Sequence, residues 1–160
     1  MSFEDIDQEE LMIFLEEMDE LLQVLEEDIL KLEKEPRNPS LVAEIFRAAH
    51  TIKGSAATVG FANLSKLAHA MEAVFSEVRS GKLPVTASLI DTFFNCLDTI
   101  KAIKQEITGA GRDSADIEQN IKMLARLTSP DAQEAPLPDA VPAVEAAPPA
   151  SEPAVEKAPP

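Results

Sequence analysis

Residues 38–79 read "NPSLVAEIFRAAHTIKGSAATVGFANLSKLAHAMEAVFSEVR", and this stretch decides the fold. Asn38 ahead of Pro39 is a helix start: the Asn side chain accepts from first-turn amides, and proline has no amide there to leave unpaired. Apolar side chains then recur at Val42, Ile45, Ala49, Ile52, Ala56 and Val59, the three-and-four spacing of a one-sided helix. Gly60 is a helix stop. Asn63 is the expected cap of a second helix with the stripe Leu64, Leu67, Ala68, Met71, Phe75 and Val78, closing near Gly81 and Pro84. Two long amphipathic helices joined only by residues 60–62 must double back on each other. Their common apolar face needs further helices to cover it.

The flanking sequence supplies them. In "DQEELMIFLEEMDELLQVLEEDILKLEKE" (7–35), Leu11, Met18, Leu25 and Leu32 lie seven apart, with Phe14 or Leu15, Leu21 or Leu22, and Ile29 between them. Asp7 is the expected cap, with Glu10 three residues on and Ile6 able to staple onto Leu11. Thr86 opens a fourth helix with Ile90, Phe93, Leu97, Ile100, Ile103 and Ile107, ending at "GAG" (109–111). A short fifth follows Ser114, with Ile117, Ile121 and Leu124. The reading is all-α: an antiparallel four-helix bundle with an additional short C-terminal helix, over residues 1–128.

Composition changes near Ser129. Residues 129–160 hold nine of the 12 prolines, nine alanines, six acids and a single lysine. Proline at that density removes helix donors and favours extended chain, and too little apolar surface remains to offset ordering. The expectation is a disordered, acidic Pro/Ala-rich linker leading into something further. The whole chain carries 29 acidic against 14 basic side chains, net −15. Neutralising phosphates takes clustered Lys and Arg, so a nucleic-acid partner is not expected. One cysteine, Cys96, excludes an internal disulfide and a cysteine-rich metal site, and it is expected to pack. No apolar run reaches the ~18–20 residues that span a bilayer, and the acidic start "MSFEDIDQEE" is neither a secretory nor a transit signal. Neither metal nor membrane insertion is expected, and the cytoplasm is the default compartment.

The chemistry lies in "HTIKG" (50–54). At about 100° per residue, His50 points roughly 130° away from the mean direction of its helix's stripe, on the flank or outside. Lys53 and Gly54 follow at i+3 and i+4 on the same surface. A mid-helix glycine costs roughly 0.5–1 kcal/mol against alanine, so Gly54 makes sense where something must approach closely. With the turn centred on Phe61, His50 and Glu72 are each eleven residues away, and Lys53 and His69 are each eight. Residues equidistant from the turn of an antiparallel pair share a level. A carboxylate holding Nδ1–H fixes the imidazole tautomer and leaves the Nε2 lone pair free to take and pass on a phosphoryl group. Lys53 would offset charge on that group. The same residues also suit an inert surface, with Arg47 serving solubility as readily as binding.

Rival chemistries lack parts. A di-metal carboxylate bundle needs Glu-x-x-His on two helices, whereas His69-x-x-Glu72 runs the other way. "GSAATVG" has no Gly-Lys-Ser/Thr and no strand before it, so it is no phosphate-cradling loop. A structural or adaptor bundle remains the alternative.

Residues 46–83, "FRAAHTIKGSAATVGFANLSKLAHAMEAVFSEVRSGKL", resemble histidine phosphotransfer domains, and "LAHAMEAVF" is similar to the type at the N-terminus of the chemotaxis kinase CheA. His-x-x-Lys-Gly is shared across the wider family; the likeness to the CheA type covers residues 1–128. The resemblance implies that His50 is the phosphoacceptor on Nε2. It also implies that Lys53, His69 and Glu72 (orienting His50) form a hydrogen-bonded cluster with it, and that Gly54 keeps the approach open. It implies no cofactor in this chain, with ATP used by a CheA-type kinase domain in cis or in trans. The phosphoryl group would pass to an aspartate of a CheY- or CheB-like response regulator that docks near Phe46 and Arg47.

Overall fold

The computed structural model describes residues 7–129 and 134–138. Five helices follow in order: α1 (Gln8–Lys34), α2 (Pro39–Val59), α3 (Ala62–Arg79), α4 (Ala87–Ala110) and α5 (Glu118–Leu127). There is no strand among the described residues. α1 packs on α2 and α4, and α3 packs on the same two, which closes a four-helix ring; α5 covers α3 and α4. The fold class read from the sequence is the one observed.

The stripes explain the packing. Every stripe residue of α2 is buried, as are Leu64, Leu67, Ala68, Met71 and Phe75 of α3 and all six of α4. On α1 the open choices resolve to Phe14 and Leu22, while Leu15 and Leu21 lie half-buried at the edge. Phe14 meets Phe61 of the hairpin turn at 5.4 Å, and Phe75 and Phe93 pack edge to face at 4.6 Å. Cys96 is buried in the same core, where desolvation pushes its thiol up to about 12.

Helix ends separate local from long-range determinants. Asn38 caps α2 through Ser40 and Leu41 amides at 2.9 and 3.4 Å, and Gly60 ends it with φ 90°, a conformation that only glycine adopts freely. Thr86 caps α4 through Leu89 N–H at 3.1 Å. Two expected caps differ. Asp7 sits at the N-cap of α1 without a side-chain bond. Asn63 lies inside α3 and donates to the carbonyls of Asp113 and Ala115. The α3 cap comes from Asp113, whose Oδ2 accepts from Leu64 N–H at 2.9 Å. That exchange ties the α4–α5 connection to the hairpin. Ser114 likewise bonds Glu106 rather than opening α5, and Asp116 Oδ1 accepts from Glu118 N–H instead.

Most of the expected linker lies outside the described residues. Residues 134–138 correct the expectation of unpacked chain. Leu137 N–H donates to the Val85 carbonyl at 2.8 Å, and its side chain is half-buried against the core. Glu134 Oε1 accepts from Ser88 N–H at 3.2 Å, an additional cap on α4. One apolar side chain with a backbone bond is enough to hold five residues, whatever the average composition. A chain ending at Ser129 is therefore expected to melt about 2–4 °C below the full chain, the shift that roughly 1 kcal/mol produces at this size. Differential scanning calorimetry of the two checks it; coincident transitions would show that the contact contributes nothing.

α1 also buries a carboxyl. Asp28 is 5% exposed, and its Oδ2 has no partner among the described residues. Burial, and then its hydrogen bond to and repulsion from Glu44 of α2, push it from 3.8 up to about 6; Lys31 opposes this and Glu27 adds to it. The folded chain thus keeps a proton that the unfolded chain releases near pH 3.8. It binds more protons between those values, so this site's contribution to stability falls as pH rises from about 4 to about 6. Asp28→Asn removes that loss, and we expect roughly 1–2 kcal/mol of added stability at pH 7 with little change at pH 4. Urea unfolding at the two pH values measures it; an equal effect at both would separate the site from the pH dependence.

Candidate functional site

The hairpin of α2 and α3 builds the site. His50 lies on the exposed flank of α2, with its side chain 62% exposed. Glu72 comes from the matching level of α3, and its Oε2 accepts a hydrogen bond from His50 Nδ1. Burial pushes the Glu72 carboxyl up, but the hydrogen bonds from Lys53 and His50 outweigh that and hold it below its ordinary value. An ionised carboxylate only accepts, so Nδ1 carries the proton. Nε2, on the far side of an exposed ring, keeps its lone pair.

Lys53 Nζ donates to Glu72 Oε1 at 2.7 Å. Each carboxylate oxygen is thereby engaged by a different group of α2. Equidistance alone put Lys53 level with His69, yet it reaches Glu72. The reason is the lean of helical side chains toward their own N-terminus. In an antiparallel pair, Lys53 leans toward the His50 layer while Glu72 leans back toward the Lys53 layer, so the two meet between layers. This also buries Glu72, only 11% exposed, beneath His50 and Lys53.

His69 departs from the expectation. It is exposed and makes no hydrogen bond or ion pair among the described residues. The side chain that meets the Lys53 segment from α3 is Ser65, one turn earlier, whose Oγ donates to the Lys53 carbonyl at 3.1 Å.

Gly54 is exposed, and a Cβ added to it would meet no atom within 4 Å. Packing inside the domain therefore does not require glycine here, although the helix is weakened by it. The bare backbone one turn beyond His50 makes sense as clearance for something outside.

On the other side of His50, the Phe46 ring lies nearly parallel to the imidazole, at 9° and 6.4 Å between centroids. Arg47 is exposed beside it. Sequence reasoning missed Arg79, the last residue of α3, whose guanidinium carbon lies 4.1 Å from the Phe46 centroid. Arg79 is eighteen residues past Phe61, opposite Ala43, and one turn of N-terminal lean brings its long side chain level with Phe46. Equidistance corrected for lean would have found it.

No helix of the described residues is long and apolar enough to cross a membrane, and no group of three metal-ligating side chains forms among them. What remains is an oriented, exposed imidazole with an adjacent cation and an open approach: a nucleophile that can take a group and give it up.

Known proteins are similar to this chain in sequence and fold. Residues 9–112 match the Hpt domain family. The chemotaxis protein CheA of Listeria monocytogenes is 43% identical over 121 residues, 76% of this chain but only 20% of that protein. The chain thus spans about a fifth of the length of this curated relative. The CheA phosphotransferase domain from Thermotoga maritima is 38% identical, with a TM-score of 0.61 over 63% of this chain and 96% of that one. The phosphorylated P1 domain of CheA3, solved in complex with CheY6 from R. sphaeroides, shares the fold at 23% identity, with a TM-score of 0.68 over 75% of this chain and 98% of that one.

Proposed function

From a chain that belongs to the Hpt domain family, in its CheA-type branch, we propose a phosphoryl carrier of a chemotaxis-type two-component kinase. The observation that carries the reading is the His50–Glu72 bond: Nδ1 is committed to a buried carboxylate, so an exposed Nε2 is the nucleophile. A CheA-type kinase domain, on the same chain or another, binds ATP. The Nε2 lone pair attacks the γ-phosphorus, the N–P bond forms, and the bond to the β-phosphate oxygen breaks to release ADP. The ring becomes cationic with Nδ1–H retained, and the Glu72 carboxylate stabilises that charge. Lys53 lies one turn away, where its charge favours the phosphoryl oxygens.

In the second step a carboxylate oxygen of a response-regulator aspartate attacks phosphorus, and the N–P electrons return to Nε2. The CheA3–CheY6 complex supports a partner of this kind. Its docking face is the α2–α3 surface around His50, with Phe46, Arg47 and the clearance above Gly54. α1 carries ten acidic and two basic side chains and suits an acidic partner poorly. Because ATP is the phosphoryl source, we assign the reaction to the cytoplasm.

Incubating the chain with [γ-32P]ATP and a CheA-type kinase domain, then adding a CheY-type regulator, tests the reading. Label should enter the chain as an acid-labile, alkali-stable phosphoryl group and leave it on adding regulator. Label that never enters, or is acid-stable, would overturn it.

A further inference from the structure

Around His50, Lys53 and Arg79 are the cations whose side chains are placed by a contact, and they differ in one respect. Lys53 is ion-paired with Glu72 at 2.7 Å. Arg79 forms none of the ion pairs among the described residues. Other cations, Arg47 among them, also form none of these ion pairs; Arg79 differs from them in being held in place by an aromatic ring. Its guanidinium rests 4.1 Å over the Phe46 ring, and that ring lies beside the His50 imidazole. Phe46 is half-buried against the core and so forms a fixed shelf. A guanidinium stacked on an aromatic face keeps its in-plane N–H groups free for an acceptor at its edge, and the stacking limits the freedom it would lose on binding.

A partner that offers an aspartate as acceptor brings an acidic surface toward a chain of net charge −15. Such a partner is repelled except where cations are presented, so an uncommitted cation fixes its register. We propose that Arg79 is a positioning residue for phosphotransfer: it takes a carboxylate on the regulator's surface and sets the docking register over His50. This rests on the phosphotransfer reading above. The Phe46 ring lies between Arg79 and the imidazole layer in the order of contacts, so Arg79 serves the partner and not the loading of His50.

The test uses the full chain, phosphorylated by a CheA-type kinase domain and mixed with a CheY-type regulator over a range of concentrations in a rapid-quench apparatus. Arg79→Ala should raise the apparent KM for regulator about fivefold, the effect of losing one partly exposed charge pair, and leave the maximal transfer rate within twofold. Arg79→Lys keeps the charge without the planar fork and should recover only part of the loss. Raising the salt should narrow the gap between wild type and Arg79→Ala. The rate at which the kinase domain loads His50 should be the same in all three. An unchanged KM in Arg79→Ala, or full recovery in a variant without a cation, Arg79→Gln, would overturn the proposal. An equal slowing of loading would overturn it too, by showing that Arg79 serves the phosphoryl group or the site as a whole. If wild type passes no label to the regulator, the phosphotransfer reading fails and this proposal with it. If wild type transfers normally and Arg79→Ala matches it, only the role of Arg79 fails.

Discussion

Replacing His50 by Gln abolishes labelling of the chain by a CheA-type kinase domain and [γ-32P]ATP, and leaves the melting temperature within about 2 °C of wild type. The first half follows from chemistry. Gln has no basic nitrogen lone pair, because its amide nitrogen is delocalised into the carbonyl, so no N–P bond forms there. The second half follows from placement. With 62% of its side chain exposed, His50 contributes little packing. The Gln amide can still donate to Glu72, and Lys53 holds the other carboxylate oxygen. His69, the only other histidine, is the internal control. It is also exposed but has no carboxylate on its ring among the described residues, so no group fixes its tautomer. Phosphoamino-acid analysis and circular dichroism on the variant decide the matter. Label persisting on His69 would transfer the nucleophile role to it, and an unfolded variant would show that His50 is structural.

What the sequence made legible depends on distance along the chain. The stripe of α2, the Asn38 cap and the Gly60 stop involve neighbours within four residues, and periodicity with capping chemistry reads them directly. The His50–Glu72 pair is 22 residues apart, yet a two-helix hairpin with a short turn is itself almost a local object, so counting from Phe61 put the two at one level. That they face each other came from the family resemblance, since counting does not fix helix rotation. Counting failed for His69 and for Arg79 for one common reason: it places backbones, and long side chains shift a level by leaning toward their own N-terminus. Contacts closed by the tertiary fold left no local trace. Asp113 caps a helix 49 residues away, Glu44 of α2 helps burial raise the Asp28 carboxyl of α1, and Glu134 and Leu137 return to α4 and Val85 across a proline-rich stretch. Composition averaged over 32 residues could not single out one leucine.

Glu72→Gln should slow phosphorylation of His50 by roughly tenfold or more, equivalent to about 1.4 kcal/mol of transition-state stabilisation. Glu72 touches neither ATP nor the phosphoryl group in this mechanism; it acts through His50. Its carboxylate, kept ionised by Lys53 and His50, accepts from Nδ1–H and thereby holds one tautomer and one ring orientation. As Nε2 bonds to phosphorus the ring gains positive charge, and a full negative charge 11% exposed beneath it is worth more then than in the ground state. Gln keeps the shape and still offers an oxygen, but its neutral carbonyl loses the charge, and its amide can flip to present a donor instead. The fold should survive, because the site opens to solvent on the His50 side and the apolar stripe of α3 is untouched. The loss should fall on the rate of the chemical step and leave the KM for the kinase domain little changed, since Glu72 is covered by its own neighbours and is not on the docking face. The pH dependence adds a sign. The carboxylate's contribution is present above its unfolded-state value of 4.5 and is lost as pH falls through its lowered folded value. The wild-type rate should therefore exceed that of Glu72→Gln throughout the neutral range, with the gap closing only in acid. Single-turnover labelling at saturating kinase domain measures the gap from pH 5 to 8, a range above the lowered value of Glu72 over which it should persist. Equal rates across that range would mean that the hydrogen bond to Nδ1 orients nothing the reaction needs.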